Sequence, residues 1–465
     1  MVIPMDAVLS YLKRNEGRFL ARLREYLRFQ SISAQSEHRA DVRRCAAWLA
    51  RHCREIGLET EMHATAGHPI VLARTPRRPG AKRPHYLVYG HYDVQPPEPF
   101  ELWDSPPFEP AIRRGRIFAR GATDNKGQHL AHLNAVEAYL KTGTDLLCDL
   151  TFLIEGEEEV GSANVGPFLR KHREALRCQA AVISDSGMPS LKQPALTYGL
   201  RGGIGMEIVL RGPARDLHSG TFGGAIDNPA MVLCQMLASL RDAKGRIRVP
   251  GFYEQVAPLS PSERRRLAGG SFSGRELQKL AGVPRLFGEA GYTPGEQCSA
   301  RPTLEINGLT GGYQGEGGKT IIPAWARAKI TCRLVPNQTP ERIRSLVIRH
   351  LERICPRTVE MQITPRRGGS GPYLMSPESA EAQAALRALR ASFGRAPVLI
   401  REGGSIPIVS QFKSILNMDT LLVGFGLPDD RAHSPNENLS LAAYRLGSRF
   451  CARLWPELAA LGKRR

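Results

Sequence analysis

No two cysteines in this sequence have CxxC spacing, although it holds nine. An odd count without paired spacing excludes a disulfide framework and points to a reducing compartment. No apolar run reaches the length of a membrane span. The opening stretch, MVIPMDAVLSYLKRNEG, is too polar too early to be a signal peptide, so a cytoplasmic location and no membrane partner are expected. Internal repeats and low-complexity stretches are absent. Acids are in short supply: 45 Asp and Glu stand against 64 Lys and Arg, a formal charge of +19. Such an excess suggests nucleic acid or an anionic surface. The arginines, however, are scattered over helical faces (Arg14 to Arg28, Arg43 to Arg54, Arg342 to Arg353). With no RNA-binding signature and no basic arm, no nucleic-acid partner is expected.

What is present is globular. At 465 residues the chain exceeds one hydrophobic core and implies two or three domains. Its 42% apolar and 23% charged residues are ordinary shares. Helical spacing marks residues 6–30 and 38–57, where Ala46, Leu49, Ala50 and Cys53 sit at i, i+3, i+4 and i+7. Strand patterns follow near 69–73 and 86–89. The chain then alternates helix 125–141, strand 150–154, helix 165–176 and strand 180–184. This βαβαβ order predicts parallel strands with helices on both faces.

The stretch from Val88 to Lys126 organises this part. VYGHYDVQP ends a buried-strand pattern in His91 and Asp93, and residues two apart on extended chain point the same way. Imidazole and carboxylate are both zinc ligands. Asp124 lies in a second turn, TDNKG. The trio reads either as a metal site or as a strand-end histidine with capping aspartates. Glu157 to Glu159 follow the next strand, and Asp185 the one after. All sit just past predicted strand ends, where open α/β sheets bind ligands. Clustered His and carboxylates there favour a metal or catalytic site over solvated strand-end acids.

From Ile204 the character changes. IGMEIVLRG reads as a strand and leads to ARDLHSGTFGGAIDNPA, with His218 in a Gly-rich loop before a helix around 229–240. Residues 243–300 are charged and rich in Pro and Gly, and read as a long irregular excursion. Strands near 303–306, 326–335 and 358–364 and a helix over 340–354 complete a separate α+β layer. The first pattern then resumes: helix 378–393, strand 397–400, REGGSIPIV, strand 420–424, and GFGLPDDRAHSPNENL, which puts His433 beyond another strand end. Helix 439–461 closes the chain. The expected organisation is a discontinuous domain over 1–203 and 374–465, interrupted by a second over 204–373.

HYDVQP, TDNKG, GEEEVGS, SDS, YGLRG, DLHSG, GGKTIIP, RLVPN, REGGSIP and AHSPNE occur in this order. Together they resemble the zinc-dependent metallopeptidase family of carnosine dipeptidases, carboxypeptidase G, acetylornithine deacetylase and aminoacylase. The branch of cytosolic non-specific dipeptidases is the most similar. The match runs from about His91 to Asn436. It implies an α/β fold: a zinc-peptidase-like catalytic domain with a mixed, largely parallel sheet, and an inserted α+β lid and dimerisation domain. It also implies two zinc ions bridged by one carboxylate and one water, though manganese or cobalt also suits such ligands.

Carried onto matching positions, the resemblance makes His91 and Asp185 ligands of one metal, Glu159 and His433 of the other, and Asp124 the bridge. Asp93 orients His91. Glu158 is the general base. The run of three glutamates leaves that register open by spacing alone; Gly161 and Ser162 settle it against the family's Glu-Glu-x-Gly-Ser. His218 stabilises the tetrahedral intermediate from the partner subunit of a homodimer; without the family it reads as a loop histidine. Arg333 clamps the substrate's C-terminal carboxylate, or is a strand arginine on a solvated face. Thr320, Ser405 and His433 face the substrate. Lys126 is a helix-start residue.

The activity implied is cleavage of the amide bond of a dipeptide with a free C-terminal carboxylate. An N-acyl- or N-carbamoyl-amino-acid amidohydrolase is the alternative. A non-catalytic scaffold using the basic surface would require Glu158 to be dispensable and metals to be absent. Residues 243–302 match no motif, so side-chain preference does not carry over.

Overall fold

The computed structural model describes residues 5–77, 83–270, 273–366 and 369–463. The chain divides into two compact units: Met1–Tyr198 with Met375–Ile400 and Ile408–Arg465, and Gly199–Leu374 with Arg401–Pro407. The stretch Arg401–Pro407 was expected with the first domain but groups with the second unit. There the Ser405 hydroxyl donates to Arg201 O at 2.7 Å, and Arg201 Nε donates to Gly403 O at 3.0 Å.

In the first unit, strands β1 (Glu59–His63), β2 (Ile70–Arg74), β3 (His85–His91), β4 (Asp149–Glu155), β5 (Ala180–Ile183), β6 (Ala195–Leu200) and β7 (Asp419–Leu422) lie in the order β1-β2-β4-β3-β5-β7-β6. The central strands β4, β3, β5 and β7 are parallel, and β1, β2 and β6 join antiparallel. The sheet is therefore mixed with a parallel centre, as the sequence implies. β3 is buried from Tyr86 to His91, the continuous pattern of a strand covered on both faces. Strand β6 and a helix at Pro407–Leu416 are additions to the sequence reading.

The expected single helix over 6–30 is two, α1 (Met5–Arg14) and α2 (Glu16–Leu27). Between them Asn15 Nδ2 donates to Tyr11 O at 2.9 Å, a local bond that competes with continuous helix. Helix α3 (Arg39–Glu55) matches its expected span. Helix α4 (Lys126–Thr142) is buried at every residue from Lys126 to Tyr139, so its polar groups must be paired. Glu137 accepts from Arg22 Nη1 at 2.6 Å. Lys126 Nζ donates to Phe29 O at 2.8 Å and Tyr26 O at 3.3 Å, at the end of α2 where the helix dipole favours a cation.

His52 on α3 is buried, and its Nε2 has no hydrogen-bond partner among the described residues. Burial, then the nearby Arg22 charge, lower its pKa to about 3. An unfolded histidine binds a proton below about pH 6.5. Unfolding therefore takes up a proton between these values, and stability falls as pH drops through that window. The slope is at most about 1.4 kcal/mol per pH unit. Urea midpoints measured from pH 7 to 5 should fall less steeply for His52→Gln than for wild type; an identical slope would exclude His52 as a cause.

The second unit holds a four-stranded antiparallel sheet in the order Thr303–Gly311, Trp325–Leu334, Gly202–Arg211, Glu360–Pro365. Helices Pro229–Ser239 and Pro340–Ile354 share a core with it, including Ile208, Leu233, Ala328, Val347 and Leu351. Strand Trp325–Leu334 alternates, burying Ala326, Ala328, Ile330, Cys332 and Leu334 and leaving Arg333 on the opposite face. Residues 243–300 are only partly irregular. They form helices Pro261–Gly270, Gly274–Ala281 and Pro294–Ser299, the last two opened by capping boxes Ser273/Glu276 and Thr293/Glu296. A bidentate Arg301–Glu289 pair at 2.7 and 2.8 Å ties this segment together. Among the described residues, no helix is long and apolar enough to cross a membrane.

Candidate metal centre

The parallel strands end side by side. β3 ends on His91, with Asp93 two residues on. After β4, a single turn at Glu158–Val160 presents the glutamates. Asp185 follows the end of β5. Beyond β7 the chain reaches His433, held in left-handed backbone at φ 62°. Asp124 comes from the turn before α4. The carboxyl edge of a parallel sheet is where this kind of fold collects ligands.

Asp124 stands between the two histidines. Its Oδ1 is 3.1 Å from His91 Nε2, and its Oδ2 is 2.8 Å from His433 Nε2. Asp185 Oδ2 lies 3.8 Å from the same His91 nitrogen, and Glu159 Oε2 lies 3.3 Å from the same His433 nitrogen. Two triads result, His91–Asp124–Asp185 and Asp124–Glu159–His433, each with its ligand atoms within 4.8 Å of one another. The donor set fits two divalent cations. Each triad offers one imidazole and two carboxylates, and the shared carboxylate points one oxygen into each.

The local field favours positive charge. Hydrogen bonding to Asp124, then to Glu159, pushes the His433 pKa up to about 11. Burial opposes charge on His91, but its bonds to Asp124, Asp185 and Asp93 outweigh this and raise its pKa well above the usual value. Burial would likewise raise Asp124, yet His433 and His91 hold it below the usual carboxylate range. Burial raises Glu158 well above that range and raises Glu159 too.

The three glutamates occupy different surroundings. Glu157 accepts from His68 N at 3.0 Å and from Asn164 Nδ2 at 2.8 Å, away from the triads. Glu159 joins a triad. The half-buried Glu158 carboxylate has no hydrogen bond among the described residues, while the His91, Asp185, Glu159 and Asp124 charges all act on it.

Asp93, expected to orient His91, meets it through two groups. Its backbone O is 3.1 Å from His91 Nδ1, closer than its Oδ1 at 3.4 Å. A proton on Nδ1 leaves the Nε2 lone pair facing Asp124, the ligating form. The Asp93 carboxylate also accepts from Glu158 N at 3.2 Å and Glu159 N at 3.1 Å, fixing the turn that carries them. The sequence reading missed several supports. Ser33 Oγ donates to Asp93 Oδ2 at 2.7 Å, Gln95 Nε2 to Glu159 Oε2 at 2.8 Å, and Asn125 Nδ2 to Asp185 Oδ1 at 2.8 Å. Gln95 and Asn125 lie inside HYDVQP and TDNKG, so an amide beside a ligand was the available signal; Ser33 offered none.

The remaining sequence candidates lie in the second unit, in two pairs. The exposed His218 Nδ1 accepts from Gly220 N at 3.0 Å, capping the short helix Ser219–Phe222. Leu217–His218 pairs with Ile321–Ile322, and Thr320 O accepts from Ser219 N at 3.0 Å. Arg333 Nη1 donates to Ser405 Oγ at 2.9 Å.

A parallel-centred sheet whose carboxyl edge carries paired His/carboxylate triads points to the class of metal-dependent hydrolases. Comparison with known proteins agrees. The family model of peptidase family M20/M25/M40 matches residues 87–457. The Cys-Gly metallodipeptidase of Schizosaccharomyces pombe is 31% identical over 99% of this chain and 100% of its own. The Beta-Ala-His dipeptidase of Rattus norvegicus is 31% identical over 98% and 96%. The solved structure of the dipeptidase Dug1p from Saccharomyces cerevisiae matches with a TM-score of 0.86 and 30% identity over 99% of both chains. The chain belongs to peptidase family M20/M25/M40, as the ordered motifs implied.

Proposed function

We propose that this hydrolase is a dinuclear metallodipeptidase, cleaving the amide bond of dipeptides that carry a free C-terminal carboxylate. The observation that supports it best is Asp124, which turns one oxygen to His91 and the other to His433. The end-to-end similarity to proteins named as dipeptidases supplies the substrate class. His91 and Asp185 would hold one cation, Glu159 and His433 the other, and Asp124 both. Zinc suits these ligands, as do manganese and cobalt.

Cations held by these residues would supply Lewis-acid chemistry, polarising the scissile carbonyl and acidifying water. Glu158 takes the proton of the attacking water and returns it to the leaving amine. Burial raises its pKa, the direction that helps a carboxyl hold a proton until it is handed on. Asp93 fixes the Glu158–Glu159 turn through its two backbone bonds. Arg333 binds the substrate carboxylate, with Ser405 orienting the guanidinium and Thr320 and His433 facing the substrate. His218 donates to the developing oxyanion from the partner subunit of a homodimer, and the inserted unit serves as lid and dimer interface.

Arg333→Lys keeps the charge but loses the planar fork. The KM for a cleaved dipeptide should rise at least about tenfold while kcat changes less than about threefold. Steady-state kinetics check this, and an unchanged KM would remove Arg333 from the pocket.

The substrate class is tested by hydrolysis of dipeptides, N-acetyl- and N-carbamoyl-amino acids by protein loaded with zinc or manganese. Cleavage of dipeptides in preference to both acylated series is the expected result. Cleavage of the acylated series alone replaces this reading with the amidohydrolase one. A metal-loaded protein that cleaves none contradicts both.

A further inference from the structure

Glu437 has no role in the chemistry above, yet it is fully buried and surrounded by donors. Its Oε2 accepts from Arg120 Nη1 at 2.8 Å and Gly121 N at 3.0 Å. Its Oε1 accepts from Thr123 N at 3.0 Å and Asp124 N at 3.1 Å. One side chain thus holds the whole turn that ends in Asp124. The same Arg120 reaches onward, donating from Nη2 to Pro96 O at 3.1 Å, in the loop that leaves His91. Glu437 also closes the loop that presents His433, only four residues upstream.

That loop is fixed at more than one point: Asn436 Oδ1 accepts from Asp104 N and its Nδ2 donates to Leu102 O, each at 2.9 Å. Arg431, His433 and Asn436 all take left-handed backbone, with φ of 57°, 62° and 63°. Such conformations persist in non-glycine residues only where the surroundings impose them. Asp430 supplies one anchor, accepting from Thr123 Oγ1 and Leu427 N, each at 2.8 Å. Glu437 supplies another, and these two end on the Asp124 turn. The loops carrying Asp124 and His433 are therefore tied to each other and not only to the sheet.

We propose that Glu437 is a positioning residue that sets Asp124 against His433, and so controls the affinity of the Asp124–Glu159–His433 triad for its cation. This rests on the two-cation reading of the site. The other triad has its own supports: His91 is buried at a strand end, and Asp185 is held by Asn125.

The effect is specific to a carboxylate. Glutamine at this position is nearly isosteric but has one acceptor oxygen. In either amide orientation its NH2 group faces two donors, and two of the four bonds are lost.

The test is zinc titration of chelator-stripped protein by calorimetry, on wild type, Glu437→Gln and Glu137→Gln. Glu137 is an equally buried carboxylate paired with Arg22, with no bond to a candidate ligand, so its variant reports the effect of general destabilisation. Wild type should bind two ions. Glu437→Gln should bind the second ion about 10- to 100-fold more weakly and the first with a smaller loss, because Asp124 serves both triads and His433 only one, while Glu137→Gln keeps both affinities. If Glu437→Gln does not fold, Glu437→Asp, charged but one methylene short, is measured by the same criterion. Two wild-type affinities in the folded Glu437 variant overturn the proposal, as does an equal loss in Glu137→Gln. A wild type that binds fewer than two ions contradicts the underlying reading instead.

Discussion

Glu158→Gln should lose hydrolysis and keep its metals. Removing a general base costs about 10²- to 10⁴-fold, so kcat on a good dipeptide substrate should drop by that factor, about 2.7–5.5 kcal/mol in barrier. KM should move little, because the side chain lies outside both triads and has no bond to lose among the described residues. The neighbouring glutamates have different fates. Glu157 is tied to His68 and Asn164, and Glu159 faces His433. Glu158 alone combines proximity to the triads with freedom from ligation, and a base needs both. Steady-state kinetics with metal analysis after dialysis decides the matter. Retained turnover would remove Glu158 as the base, and lost metal would make it a ligand.

Asp124→Asn should have the opposite signature. It is the one carboxylate common to both triads, with Oδ1 and Oδ2 facing different histidines. Asparagine leaves one neutral oxygen for one site and turns NH2 hydrogens towards the other. Both ions should therefore bind at least about 100-fold more weakly, by analogy with the 10- to 100-fold losses seen for mere supporting residues, and turnover should fall to background. Glu159→Gln, which touches one triad, should lose one ion only. Metal titration distinguishes these outcomes. An Asp124→Asn protein that keeps one ion at wild-type affinity would show that the carboxylate is not shared.

Much of this site was legible because its residues follow strand ends, and strand ends are readable. The apolar run into His91, the acids after the next strand and Asp185 after the third are placed by pattern alone. His433 is different. Pattern puts it beyond another strand end, but it sits well along a loop on left-handed backbone, which no periodicity reports, and the motif resemblance is what assigns it to a triad. Partners distant in sequence, such as Ser33 with Asp93 and Glu437 with Asp124, are invisible to local pattern because they are made by tertiary contact. Residues 243–300 hold more helix than their composition suggests, for a different reason. Their Pro and Gly content suggested irregular chain, while the capping boxes at Ser273 and Thr293 were written in the sequence and announced helices. The break at Asn15 was also local, since an asparagine within an amphipathic run competes for the backbone.

On the proposed reading one carboxylate, Asp124, serves two cations at the carboxyl edge of the sheet. Anomalous scattering from zinc-soaked crystals, collected on both sides of the zinc absorption edge, tests it most directly. The expected map holds two peaks per chain, one between His91 and Asp185 and one between Glu159 and His433, with Asp124 touching both. A single peak, or two peaks that do not share Asp124, would contradict the account.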